Sequence, residues 1–441
     1  MTHCIAKILD YKGENITFSD DVQEVYFNLV RTLLFKGTLT YTPDCCENCG
    51  AVNENHRIVK NGKRKTMIKL MKIQGSPSYL ELKKQRFFCR SCHSSFVAKT
   101  NFVKKHHNFC NKLALHILYQ SHENRSCKGI AYDNNVSSAS VIRYINKTAN
   151  SVKLGPFNEL PKHIMLDEFK SVKNVVGKMS FIFCDGDTHQ IVDILPDRRK
   201  RALFAYFIRF DREVRKRVET VTTDMYSPYI SLFKQLFPNA KIILDRFHLV
   251  QALNRELNRV RIRIMNEKRH KDGKYYRKLK HYWKLILKPS ESLNSTLYKD
   301  NKLFPGLESE KSMINFILGE SPELKDVYDK VNALRTSIKT NENHKLTHQI
   351  LKYLKDRNTD GGLKRVLKSF RNFLPEIMNA LNHPGRSNGP IEAINNNIKV
   401  LKRIAYGYRN FYNFRNRILI KFKLLACLLY TSDAADEEDS V

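Results

Sequence analysis

The chain has 441 residues with 77 Lys+Arg against 44 Asp+Glu, a formal excess of +33; at roughly 150 residues per domain it predicts about three domains. Its 42% hydrophobic content excludes wholesale disorder, and ten cysteines are too sparse for a secreted disulfide scaffold. No apolar run approaches the roughly 18 residues of a membrane helix and Met1–Asn15 lacks a signal-peptide core, so a reduced, cytosolic or nuclear protein with a polyanionic partner is expected, nucleic acid ahead of an acidic membrane.

Residues 1–40 mix short strand-like and helix-like patterns without recognisable chemistry. Two cysteine knuckles follow, Cys46-Glu-Asn-Cys49 and Cys89-Arg-Ser-Cys92, separated by alternating segments such as Met67–Ile73 and Tyr79–Leu82. A C-x2-C turn presents two thiolates to a tetrahedral Zn2+, and two such turns joined by strands make a zinc ribbon. Metal binding would supply folding energy that so small a module lacks in its own core. Cys45 makes the register ambiguous, but the spacing and Gly50 favour Cys46; His56, His93, His106 and His107 read as surface histidines.

Residues 110–150 read as helical. Ser126 would cap a short helix burying Ile130 and Ala131, Asn134-Asn135 would turn the chain, and Ser137 or Ser138 would cap a second helix. That helix would bury Val141, Ile142 and Ile145 and present Ser140, Arg143 and Lys147 outward. The pattern fits a DNA-reading helix-turn-helix, with a plain helical hairpin as the alternative.

Residues 160–250 change period to α/β. Strands are expected at His163–Phe169, Ser180–Gly186, His189–Leu195, Val218–Asp224 and Ala240–Asp245, with helices over Lys200–Arg217 and Tyr226–Phe237. Three strands, a helix, a strand, a helix and a strand is the order of a ribonuclease-H-like core. From Arg246 to about Leu381 the pattern is almost purely helical and basic, with Leu249, Leu253, Leu257, Val260 and Ile264 in one stripe and Arg255, Arg259 and Arg263 beside it. This block fits either a solvated scaffold or a DNA contact. Prolines 289, 305, 322 and 375 punctuate it.

The last informative stretch runs from His383 to Arg403. Pro390 suits a first helical position, and Ser387 or Asn388 can cap. Ile391, Ile394, Ile398 and Leu401 would line one face, and Glu392, Asn395, Asn396, Lys399 and Arg403 the other. Two-metal phosphodiester chemistry needs carboxylates at strand ends and on a facing helix, which Asp167, Asp224 and Glu392 supply by position. Glu168 would point away from Asp167, Asp185 reads as a hairpin-turn residue, and Asp245 is the first alternative for the second carboxylate. The last fifteen residues switch to five acids and no base. They read as an artefactual tail, with a real acidic tail as the alternative.

Together, Cys46/Cys49 with Arg86-Phe-Phe-Cys89-x-x-Cys92, Asp167-Glu-Phe169, Asp224-Met-Tyr-Ser-Pro-Tyr229, Asp245-Arg-Phe-His248, Asn388-Gly-Pro-Ile-Glu392 and the run from Lys399 to Arg409 resemble one family. It is the insertion-sequence L-three family of DDE-type bacterial transposases, matched over roughly residues 40–425. The resemblance implies a multidomain α+β protein. Its regions would be residues 1–100 with a zinc ribbon at about 44–98, a helix-turn-helix at 101–155, a ribonuclease-H-like core at 160–250 and 383–426 interrupted by an all-helical insertion at 251–382, and the tail 427–441.

It also implies that Asp167, Asp224 and Glu392 are the catalytic triad holding two Mg2+ or Mn2+ ions, and that Cys46, Cys49, Cys89 and Cys92 hold structural Zn2+. Ser140, Arg143, Lys147, Lys399, Arg403 and Arg409 would contact double-stranded DNA, and the run Tyr406 to Arg415 would pack beneath the acidic site and touch DNA. The implied activity is binding of terminal inverted repeats followed by strand cleavage and transfer into target DNA. A homo-oligomeric assembly in the bacterial cytoplasm, nucleoid-associated and without membrane partner, is implied too. A non-catalytic DNA-binding regulator and a structure-selective nuclease on the same core are the alternatives.

Overall fold

The computed structural model describes residues 2–27, 29–151, 158–300 and 302–422. The acidic tail lies outside them. By its contacts the chain forms two units, residues 1–153 with 397–441, and residues 154–396.

The first unit opens with α1 (Thr2–Ile8) and continues with β1 (Ile16–Phe18), β2 (Gln23–Phe27), β3 (Val30–Leu39), β4 (Ile58–Lys69), β5 (Ser78–Cys89) and β6 (Ser95–Val97). These strands make one six-stranded sheet. β4 and β5 form the antiparallel hairpin between the knuckles, and β3 adds to β5 in parallel, Leu33 opposite Ser78. β5 alternates, burying Leu80, Leu82, Phe87 and Cys89 while Glu81, Lys83 and Arg86 turn outward. The register of β4 slips between Lys60 and Lys63, where Gly62 takes a φ of 69° and its carbonyl accepts from Gln85 Nε2 at 2.8 Å. The ribbon hairpin is thus not a small module lacking a core. Ile16, Phe18, Leu39, Ile68, Leu80 and Phe87 pack in one cluster with the helices that follow.

Those helices are α2 (Asn111–His122), α3 (Cys127–Asp133) and α4 (Ser138–Ser151). Ser126 Oγ caps α3 by accepting from Gly129 N at 3.0 Å, and Ser137 Oγ accepts from Ser140 N at 3.1 Å at the start of α4. Asn135 supplies the left-handed turn between them with φ 49°. Ile130, Ala131, Val141 and Ile145 are buried, and Ile142 is half-buried.

The second unit holds a five-stranded sheet of β7 (His163–Lys170), β8 (Met179–Asp185), β9 (Ile191–Leu195), β10 (Thr220–Thr223) and β11 (Lys241–Leu244), in the order β11-β10-β7-β8-β9. β10 lies parallel to β7 and β11; β7, β8 and β9 are antiparallel. Near-continuous burial along β8 and β10 marks strands covered on both faces. The helix expected over 200–217 is instead two, α5 (Lys200–Phe207) and α6 (Arg212–Lys216). Asp211 is extended, with ψ 150°, which interrupts the helical ladder, and the Phe210 carbonyl takes a bond from Arg215 Nε at 3.1 Å. Leu203, Phe207 and Val214 are still all buried.

α7 (Ser227–Leu236) links β10 to β11, and α8 (Arg246–Lys268) leaves β11 with Leu249, Leu253, Leu257, Val260 and Ile264 buried. Then come α9 (Gly273–His281), α10 (Trp283–Leu287), α11 (Glu310–Gly319), α12 (Pro322–Lys339), α13 (Asn343–Lys355), α14 (Gly361–Asn372) and α15 (Leu374–Asn382). The block is not wholly helical: β12 (Lys299–Asp300) and β13 (Leu307–Glu308) pair in it. α16 (Gly389–Ile404) follows, and residues 411–422 are helical. No described helix is long and apolar enough to cross a membrane.

Candidate functional site

In the first unit, Cys46, Cys49, Cys89 and Cys92 bring their sulfurs within 4.8 Å of one another. The gaps are 3.7 Å for Cys46–Cys92 and 3.9 Å for Cys49–Cys89. A tetrahedron with Zn–S bonds of about 2.3 Å has edges of about 3.8 Å, so the four thiols fit Zn2+. The backbone amides of Cys49 and Asn48 push the Cys46 thiol down to about 6, toward the thiolate a metal requires. Exposed Cys45 is not in the cluster.

In the second unit, β7, β10 and β11 present their carboxyl ends side by side, where parallel sheets place ligands. Asp167 sits on β7, Asp224 directly follows β10 and Asp245 directly follows β11, capping α8 through Phe247 N at 3.3 Å. His248, one turn into α8, places Nε2 2.9 Å from Asp224 Oδ1 and 3.9 Å from Glu392 Oε1. Asp245, His248 and Glu392 offer ligand atoms within 4.8 Å of one another.

Glu392 reaches this position because the start of α16 is pinned to the sheet. Arg386 Nη1 binds Asp187 at 2.6 Å and the Gly186 carbonyl at 3.1 Å, and Asn388 Nδ2 donates to the Leu166 carbonyl at 2.9 Å. Asn388 thus holds a strand with its side chain instead of capping the helix. Asn395, expected on the outer face, is buried and donates to Asp167 Oδ2 at 2.7 Å. With Asn388 and Glu392 it shares one stripe at spacings of four and three, and that spacing was the available signal. The signal for His248 was Asp245-x-x-His248 at a strand-to-helix junction.

Burial pushes Asp167 up to about 6, against bonds from Glu168 N and Asn395, and burial also raises Asp245. His248 is raised, first by its bond to Asp224. The Oδ1 atoms of Asn388 and Asn395 are buried acceptors lacking a donor. Carboxylates in partial burial beside unsatisfied oxygens fit a hard divalent cation. A cleft of about 410 Å³ opens here, lined by Asp167, Asp224, Tyr226, His248, Arg198 and Arg255. Glu168, expected to point away from Asp167, also lines this cleft, where it is engaged by Arg198 and Tyr229. Asp185 Oδ1 accepts from Asp187 N at 2.8 Å in the hairpin turn.

The other expected residues lie in the first unit. Arg143 and Lys147 are exposed on α4, Lys147 Nζ 3.1 Å from His107 Nε2, and Ser140 is half-buried at its start. Lys399 and Arg403 are exposed on the last turns of α16, and Arg409 is exposed in the turn after it. Within the same unit, Asn413 and Asn416 bond Asn146, and buried Arg417 donates to the carbonyls of Ser121, Glu123 and Arg125.

The chain thus carries a cysteine cluster that fits Zn2+ and a carboxylate–histidine cluster that fits a divalent cation on a strongly basic background. Residues 42–92 match the model for the zinc-finger of transposase IS204/IS1001/IS1096/IS1165. Residues 164–418, more than half of the chain, match a transposase family model of the ISL3 type, and the chain belongs to that family of DDE transposases. It is 23% identical over 384 residues to a transposase for insertion sequence element IS1001 from Bordetella parapertussis, covering 83% of this chain and 85% of that protein. Over 60 residues it is 57% identical to a Lactococcus lactis subsp. lactis protein described as an ATP-dependent protease, spanning 14% of this chain and 19% of that protein.

Proposed function

We propose that this transposase binds the terminal inverted repeats of its element, cuts DNA at the element ends and transfers the freed strand into target DNA. The observation that supports the reading is that His248 lies 2.9 Å from Asp224 and 3.9 Å from Glu392, with buried Asp167 near enough to Asp224 and His248 to feel both charges. Two Mg2+ or Mn2+ ions held by these three carboxylates would activate the attacking oxygen and stabilise the leaving one. Asn395 orients Asp167, and His248 holds Asp224. Arg198 and Arg255 line the same cleft and suit a phosphodiester backbone.

The strand order supports a ribonuclease-H-like core, first part 160–250 and last part 383–426 as the element pattern has it, with the helical insertion between. α3 and α4 support a helix-turn-helix whose Ser140, Arg143 and Lys147 meet the repeats, while Lys399, Arg403 and Arg409 add phosphate contacts. Paired element ends make a homo-oligomer the working assembly, in the bacterial cytoplasm. The test incubates purified protein with labelled element-end DNA and Mg2+. Wild type is expected to give nicked and joined products. Asp167→Asn, Asp224→Asn and Glu392→Gln each should bind the repeat normally and give neither. Cutting without joining would assign a structure-selective nuclease, and binding without cutting in wild type a regulator.

A further inference from the structure

We infer that the face made by the end of α8, α9 and α10 is a second docking surface, one that takes double-stranded DNA through its backbone without reading sequence. From Lys268 to Lys284 the chain carries eight Lys or Arg and one acid, Asp272. That acid is engaged in capping α9, accepting from Lys274 N at 3.1 Å and Tyr275 N at 2.9 Å. Lys278 turns inward to Glu320 at 2.6 Å. None of the other seven cations has a carboxylate within ion-pair distance among the described residues, and Arg269, Lys271, Lys274, Arg277, Lys280 and Lys284 are exposed.

Elsewhere in the helical block Arg259, Arg263, Lys288, Lys330 and Lys339 each meet an acid, while Lys364, Arg365, Lys368 and Arg371 on α14 have no ion pair among the described residues. Along α9 and α10, Arg277, Lys280 and Lys284 fall opposite buried Tyr275, Leu279 and Ile286, so the unpaired charge forms a stripe. Tyr276 and Trp283 flank it seven residues apart. Lys280 Nζ lies 5.8 Å from the Tyr276 ring and Lys284 Nζ 5.7 Å from the Trp283 ring, and the indole is 41% exposed. Like charges held together repel, and a polyanion with regular spacing relieves that repulsion by releasing its counterions.

DNA as the polyanion rests on the proposed transposase reading; the face itself does not. The 23 residues of α8 separate it from the acidic cluster by about 34 Å, about ten base pairs of duplex.

Trp283 is the only tryptophan, so its emission reports on this face. Full-length protein is titrated with a 30-base-pair duplex lacking the repeat, over a series of salt concentrations. The emission should change saturably with DNA. The triple variant Arg277→Gln/Lys280→Gln/Lys284→Gln should reduce the slope of log affinity against log salt by about 2–3, at about 0.9 per lost phosphate contact. It should keep wild-type circular dichroism and still retard repeat DNA. An unmoved emission, or a triple variant with the wild-type slope, overturns the inference. So does equal binding of polyglutamate, which would make the partner an acidic protein. Asp167→Asn should bind like wild type. Normal binding here with no cutting of element ends would defeat the proposed chemistry and leave this face standing.

Discussion

Asn395 shows how one side chain can govern an acidic site without being acidic. A carboxylate buried as Asp167 is prefers its neutral form, and only donors aimed at it hold the charged form ready for a cation. Asn395→Ala should therefore slow strand cutting about 10–100-fold, the usual cost of losing a group that orients a ligand, with repeat binding and melting temperature near wild type. Wild-type cutting by this variant would remove Asn395 from the site. A second residue-scale expectation concerns Lys330, buried at 7% exposure and bound to Asp326 at 2.8 Å and Asp356 at 2.6 Å. Lys330 pulls Asp356 down to about 2. A carboxyl lowered on folding adds stability that is complete above its ordinary value of about 4 and lost as pH falls toward 2. The gap in urea midpoint between wild type and Lys330→Met should be widest above pH 4 and narrow toward pH 2; a constant gap would mean the ion pair contributes nothing. Of these residues the sequence exposed the acids, because strand ends and helix starts are marked by local pattern. It marked Asn395 only by its spacing from Asn388 and Glu392, because an amide on a helix reads the same whether it faces water or a buried carboxylate 228 residues away.

Among the elements, the cysteine knuckles were legible because the ligand spacing is itself the local structure. The parallel pairing of β3 with β5 was not, since nothing in either strand names its neighbour across the intervening knuckle and β4. Likewise the pattern of Leu203, Phe207 and Val214 is continuous although the helix is not. Apolar spacing reports the buried face and is silent on whether the backbone breaks at Asp211. In residues 411–422 the sequence shows an aromatic and basic run but not its partners: Arg417, at 1% exposure, closes the end of α2 by donating to three carbonyls. A guanidinium fork can satisfy several carbonyls at once and an ammonium cannot match its geometry. Arg417→Lys should therefore recover little of the loss caused by Arg417→Met, which leaves the buried Ser121 carbonyl unpaired at about 1–3 kcal/mol. Full rescue by lysine, read from thermal unfolding, would show that charge alone matters there.

On the scale of the whole molecule, each unit has its own apolar core and its own candidate metal centre. One core gathers residues from Ile5 to Ala149 with Ile420, the other residues from Ile164 to Leu381. Large chains with separate cores need not unfold in one step, and a ligand raises only the transition of the unit it binds. Calorimetry should therefore resolve two transitions that answer to different metals. A zinc chelator should lower one by at least about 10 °C, because losing the sulfur-bound ion removes several kcal/mol from a unit of about 200 residues, at about 2–4 °C per kcal/mol. Adding 10 mM Mg2+ should raise only the other. For a Kd of about 1 mM the gain is about 1.4 kcal/mol, or about 3–5 °C, and Asp224→Asn should abolish that rise while leaving the response to chelator intact. A single transition moved by both metals would mean that the units unfold as one body. A Mg2+ response that survives Asp224→Asn would place the divalent site somewhere other than the strand ends.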